Sequence, residues 1–168
     1  MTDNIYEPPQ SKIDMDTADV ADDPLASRWS RLWASLLDSL IMMFIILPAM
    51  YFTGGFDVIS TGEEPSLGYN LAIGVLGFIV FFILNTHLLI NKGQTIGKSV
   101  LGIKIVDLDG NLPVFKNHIL KRYAVYFLPG QVPIVGQMFS IVNILFIFGA
   151  QKRCIHDHAA GTKVVDAK

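Results

Sequence analysis

Asp38 is the residue whose chemistry stands out, because it is the only charged group in the stretch from Leu32 to Phe52. About 20 apolar residues are enough to cross a bilayer. A carboxylate on such a helix costs roughly 2.5–3.5 kcal/mol at the bilayer centre, so it is kept where it faces protein or water and has a partner. Arg31 stands seven residues earlier, about two helical turns, so Arg31, Ser35 and Asp38 share one face with Ser27 and Ala34 beside them. Two turns is roughly 10 Å along the axis, too far for a direct Arg31–Asp38 contact. Each group therefore needs another partner. For Arg31 the opposite charge on offer is Asp157. Asp38 has two readings: a hydrogen bond to Asn85, His87 or a hydroxyl of a neighbouring helix, or a place in a proton or cation path that Ser35, Asn85 and His87 would complete.

Other chemical patterns are weaker. Gly97-Lys98-Ser99 lacks the glycine that a phosphate-binding loop needs five residues before its second glycine, since Lys92 stands there. Asp107-Leu108-Asp109-Gly110-Asn111 resembles a calcium loop, but Lys116 stands where the closing Glu belongs, so a turn is the better reading. Cys154, His156 and His158 form one short cluster without a second, and no metal or cofactor is expected from it. No nucleophile, base and orienter occur at readable spacing, so an enzyme is not expected. Nor is a nucleic-acid partner.

The elements that must position these residues follow from hydropathy. At 51% hydrophobic, 17% charged and mean hydropathy +0.44, the 168-residue chain reads as one membrane domain whose first partner is the lipid bilayer. The two signs of charge are segregated. Residues 1–24 hold seven acidic groups against Lys12 alone and read as a disordered acidic cytoplasmic tail, leaving 25–168 as the membrane domain. That tail has no basic start before an apolar core, so it does not read as a signal peptide. Cys154 is the only cysteine, so no intramolecular disulfide is expected.

Two spans are expected, at about 32–52 and 71–90, the second with Gly74 and Gly77 as small residues that admit a neighbouring helix. The loop between them carries Asp57, Glu63 and Glu64 and no Lys or Arg, whereas basic residues flank the other ends. The positive-inside rule then puts both termini in the cytoplasm of a multi-pass inner-membrane protein. The apolar region 123–150 is interrupted by Pro129, Gly130 and Pro133, and reads as a broken helical hairpin with arms at about 115–128 and 133–150. Its first arm has the basic, amphipathic character of an interfacial helix. Between span and hairpin, Val100–Val106, the Asp109-Gly110 turn signal and Leu112–Phe115 read as two strands, with Lys163–Val165 a possible third. The expected fold is an all-α membrane bundle with a small cytoplasmic β element.

Three ordered motifs then fall together: Arg31-x-x-Ala34-x-x-x-Asp38, Gln94-Thr95-Ile96-Gly97-Lys98 with Leu101-Gly102-Ile103-Lys104-Ile105-Val106-Asp107, and His156-Asp157-x-x-Ala160-Gly161-Thr162-x-Val164-Val165. Over about 25–166 the chain resembles the RDD family of small bacterial membrane proteins. The resemblance maps the family's one arginine and two aspartates onto Arg31, Asp38 and Asp157, with Asp107 the competing choice for the last, and makes Thr95, Gly97, Lys98, Gly102, Asp107, Gly161 and Thr162 part of a cytoplasmic motif. It also implies transport, some members having been described as cation/proton antiporters. Two functions follow as expectations. One is transport of an ion or small solute, coupled to protons through Asp38, in a homo-oligomer. The other is a non-catalytic accessory or scaffold module that binds a lipid or a membrane protein partner.

Overall fold

The computed structural model describes residues 23–132 and 135–167. Most of the acidic tail, and Pro133 of the expected break, lie outside the described residues.

Helix α1 (Arg28–Phe52) begins where Ser27 turns its side-chain oxygen onto the Ser30 N–H, replacing one of the backbone partners a helix start lacks. Helix α3 (Leu67–Lys92) starts in the same way, with Ser66 accepting from Tyr69 N, and stops at Gly93 in the left-handed region (φ 65°). No side chain fits there: a Cβ on Gly93 would lie 2.3 Å from the Ile105 carbonyl oxygen. Both helices are long and apolar enough to cross a membrane. The acidic connection between them holds one short helix, α2 (Gly55–Ser60).

After α3 the chain turns back through α4 (Ile96–Val100) into strand β1 (Ile103–Asp107). One turn of π-helix (Phe115–Ile119) leads into α5 (Leu120–Phe127). Pro129 starts a short 3-10 turn, and α6 (Val135–Leu145) follows. The break therefore falls where the Pro129–Gly130 signal put it. At 1.5 Å per residue the 11 residues of α6 span roughly 16 Å, about half of a hydrocarbon core, and a 3-10 turn (Phe146–Phe148) extends it. Helix α7 (Ile155–Ala160) and strand β2 (Thr162–Asp166) complete the chain.

The sheet differs from the sequence reading. Strand β1 pairs antiparallel with β2, from Ile103 opposite Asp166 to Asp107 opposite Thr162. Leu112–Phe115 is not a strand. Pro113 has no N–H to give a ladder, and Val114 serves as the cap of the π-helical turn. Instead, Leu25 bridges Val165 and Ala26 N donates to Val164 O at 3.0 Å. Asp23 pairs with Lys104 at 2.8 Å, and Pro24 O accepts from Asp166 N at 3.0 Å. Asp23 and Pro24, which the sequence reading placed in the tail, thus pair with residues of the sheet.

These pairings place the start of α1 beside the end of the chain. Ile103, Ile105, Val164, Ile119, Leu89 and Ala26 pack into one core beneath the helices. Phe81 and Phe82 of α3 continue it upward through ring contacts with Tyr123 and Phe127.

Candidate functional site

Two carboxylates organise the end of the bundle where these elements meet. Asp157 is fully buried on α7. Its Oδ2 accepts from the Arg31 guanidinium and from Cys154 N (2.9 Å), and its Oδ1 accepts from the Arg122 guanidinium. Arg122 also donates to Thr162 Oγ1 at 2.8 Å, and Arg31 to the Lys152 carbonyl. One carboxylate thereby ties α1, α5, α7 and the start of β2 together. Gly161, left-handed at φ 62°, makes the turn from α7 into Thr162. Burial opposes ionisation of Asp157, but Arg122, His156, Arg31 and the Cys154 N–H outweigh it and hold the carboxyl well below the usual range. Arg122 is the residue that sequence reading missed as a partner. The available signal was its position: on an amphipathic arm, Arg122 and Tyr123 are buried while Lys116 and Lys121 are exposed.

Asp38 has a different task. Its Oδ2 accepts from Thr95 Oγ1 at 2.5 Å and its Oδ1 from Gly97 N at 2.7 Å, with Lys98 Nζ at 3.9 Å. Asn85 Oδ1 accepts from Ile96 N (2.9 Å), and Thr95 Oγ1 accepts from Lys98 N (3.3 Å). The first three N–H groups of α4 are thus taken by Asn85, Asp38 and Thr95, the groups that a helix start otherwise leaves without partners. Gly97 permits this approach, since a Cβ there would lie 2.1 Å from the Ala34 carbonyl oxygen. The Gln94-Thr95-Ile96-Gly97-Lys98 segment is therefore a dock for α1. Burial draws the Lys98 ammonium from 10.5 down to about 8 against the opposing pull of Asp38, which leaves it mostly charged at neutral pH.

The remaining expected site residues divide. Ser35 donates to Leu32 O and lines a cavity with Asp38. His87 is exposed and does not join them. Two residues on a helix are about 200° apart, so the burial of Asn85 turns His87 outward. Asp107 closes the β-turn by accepting from Asp109 N and Asn111 N at 3.0 and 2.8 Å. Gly102, at φ 64°, links α4 to β1. Cys154, His156 and Asp157 bring their ligand atoms within 4.8 Å of one another. Both Asp157 oxygens already face guanidinium groups, an arrangement that repels a cation, and burial pushes the Cys154 thiol up.

The cavity, of about 480 Å³, lies between α1, α3 and the α5–α6 hairpin. Its polar end carries Arg31, Asp38, Lys98, Arg122 and His156, and its apolar walls include Met42, Ile46, Gly77 and Phe127.

His156 gives this site a pH signature. Burial first, then Arg122, lowers its imidazole from 6.5 to about 3. The unfolded chain takes up a proton below pH 6.5 and the folded chain does not until about pH 3, so stability falls as pH drops through that window. The slope is at most about 1.4 kcal/mol per unit. Melting of the detergent-purified protein should therefore drop between pH 7 and 4.5, above the range where ordinary carboxylates titrate, and His156→Gln should flatten the drop. An unchanged slope in that variant would mean that other groups carry it.

The family model described as "RDD family" matches residues 25–161. Two Bacillus subtilis (strain 168) proteins are similar along most of their length. The one named "Uncharacterized membrane protein YteJ" is 28% identical over 148 residues, 85% of this chain and 82% of that protein. The other, named "Uncharacterized protein YckC", is 26% identical over 144 residues, 84% of this chain and 85% of that protein. No solved structure matches the chain. The matched region runs from the residue that bridges β2 to the glycine that ends α7, taking in the Asp38 dock and the Asp157 cluster, and the chain belongs to the RDD family of membrane proteins.

Proposed function

We propose that the protein is a non-enzymatic, multi-pass inner-membrane transporter of a small solute, with the cavity as its substrate site. The observation that carries this reading is the cavity's polarity: apolar walls between α1 and α3 that end on a charged floor. Around that floor Arg31, Lys98 and Arg122 stand against Asp38 and Asp157. The excess of positive charge favours an anionic solute over a cation. Asp38, bound by Thr95 and Gly97, holds α4 in place, so coupling through its protonation requires release of that dock.

Both termini are proposed to be cytoplasmic. The distribution of basic residues supports this, and so does the pairing of Ala26 with Val164, which joins the residues just ahead of α1 to strand β2. Among the described residues two helices are long enough to cross, few for alternating access, so transport is proposed to take place in a homo-oligomer. The same scarcity favours a second reading, an accessory module that binds its ligand without moving it.

Proteoliposomes loaded with sodium, chloride or phosphate discriminate the two readings. Flux of an anion that is lost in Gly77→Phe, which fills the cavity, supports transport. Flux of sodium that needs a proton gradient and the Asp38 carboxylate would replace the anion reading with proton coupling. Absence of flux under every gradient would leave the accessory module.

A further inference from the structure

The cavity's two ends ask for different chemistry, and two polar groups on its wall are incompletely used. Tyr123 is 6% exposed, and its hydroxyl has no hydrogen-bond partner among the described residues. A buried hydroxyl is normally satisfied by protein, water or ligand. Lys98 presents three donors, yet its nearest acceptors, Thr95 Oγ1 and Asp38 Oδ2, are 3.4 and 3.9 Å away. Its ammonium thus has room for a closer oxygen. Away from this end the wall becomes apolar along α1 and α3, where a Cβ added at Gly77 would sit in ordinary contact with Ile46 Cδ1 at 3.8 Å. The rim is apolar and exposed at Leu32, Met43 and Ile144, on α1 and α6. In a bilayer such a rim opens toward hydrocarbon.

We propose that the cavity binds an anionic membrane lipid, its phosphate against Lys98 and Tyr123 and one acyl chain along the α1–α3 wall past Gly77. Charge complementarity selects the head group. The phosphate brings oxygens that accept from both the ammonium and the phenol, and the wall's positive excess offsets its charge. The apolar path selects a lipid over a free anion, because inorganic phosphate leaves that half of the cavity unfilled. The volume, about 480 Å³, is that of a typical small-molecule site and holds part of a chain rather than a whole lipid. The rest of the molecule then stays in the surrounding bilayer. This assignment rests on the cavity being the ligand site, as the transport reading also does, but it does not require that the ligand be moved.

Equilibrium binding to the detergent-purified full chain tests it without any gradient, so a failure to transport leaves it standing. Phosphatidylglycerol in mixed micelles should raise the melting temperature and appear as bound lipid in native mass spectra. Phosphatidylcholine and inorganic phosphate should do neither. Lys98→Gln should weaken phosphatidylglycerol binding about tenfold, the loss of one charge-assisted hydrogen bond, and Gly77→Phe should abolish it by filling the chain path. Tyr123→Phe keeps the ring packing and removes only the hydroxyl, so it serves as the variant that folds normally. It should weaken binding by a smaller factor. Equal responses to phosphatidylglycerol and phosphatidylcholine would overturn the head-group assignment. A full response to inorganic phosphate, or phosphatidylglycerol binding that is unchanged in both Tyr123→Phe and Gly77→Phe, would overturn the lipid site.

Discussion

Asp157→Ala is expected to be the most damaging single substitution in the chain, lowering stability by about 3–5 kcal/mol, the cost of breaking a buried ion pair from one side. Both Arg31 and Arg122 depend on this carboxylate, which is fully buried. Its removal strands two guanidinium groups in a site whose remaining partners carry no negative charge: the Lys152 carbonyl and Cys154 for Arg31, Thr162 and His156 for Arg122. Arg31→Ala and Arg122→Ala should each cost less, because the other arginine still neutralises Asp157. The measurement is the melting temperature in detergent for the single and double variants. Adding Arg31→Ala to Asp157→Ala should cost little or even recover stability, since it removes a stranded charge. Strict additivity would show that the two residues do not interact.

Gly97→Ala should be the next most severe change, at about 1–3 kcal/mol, the range for forcing added volume into a packed contact. The added methyl would lie 2.1 Å from the Ala34 carbonyl oxygen and 2.9 Å from Asp38 Oδ1. The clash is with backbone on one side and with the docking carboxylate on the other, so α4 must move off α1. That motion breaks the Gly97 N–H contact to Asp38 and carries Lys98 away from the cavity. Asp38→Asn makes a useful contrast. It keeps an oxygen for Gly97 N–H but sets an amide against Thr95, so it should destabilise by less than Gly97→Ala. Chemical denaturation followed by tryptophan fluorescence would rank the three proteins, and an Asp38→Asn protein less stable than Gly97→Ala would show that charge outweighs fit at this dock.

What the sequence disclosed follows the range of the forces involved. The spans, the break at Pro129–Gly130 and the Lys163–Val165 strand are written in local hydropathy and backbone chemistry, and they stand in the structure where the sequence put them. Arg31 and Asp157 were visible as opposite charges at one end of the bundle. Their contact is present, but the second arginine is not evident from charge alone, because Arg122 sits among basic residues that face outward. The Asp38 dock was equally hidden. Its partners lie 57 and 59 residues away and include a backbone N–H, which carries no side-chain signature. Of the residues expected near Asp38, Asn85 caps the same helix start, while helix geometry turns His87 outward. The expected 112–115 strand failed because β1 found its partner some 60 residues downstream.

The closure of Arg31 onto Asp157 sets an order of events during synthesis. Arg31 leaves the ribosome 126 residues before its counter-charge. At about 5–20 residues per second that interval is on the order of ten seconds, during which Arg31 is without that carboxylate. Nothing in the two-stranded sheet can form earlier either, since β2 pairs both with β1 and with the residues just ahead of α1. The last dozen residues therefore act as a clasp. A ribosome that stops short of them releases two long apolar helices with no sheet to join their ends, and a quality-control protease would meet an open face where the finished protein presents a closed one.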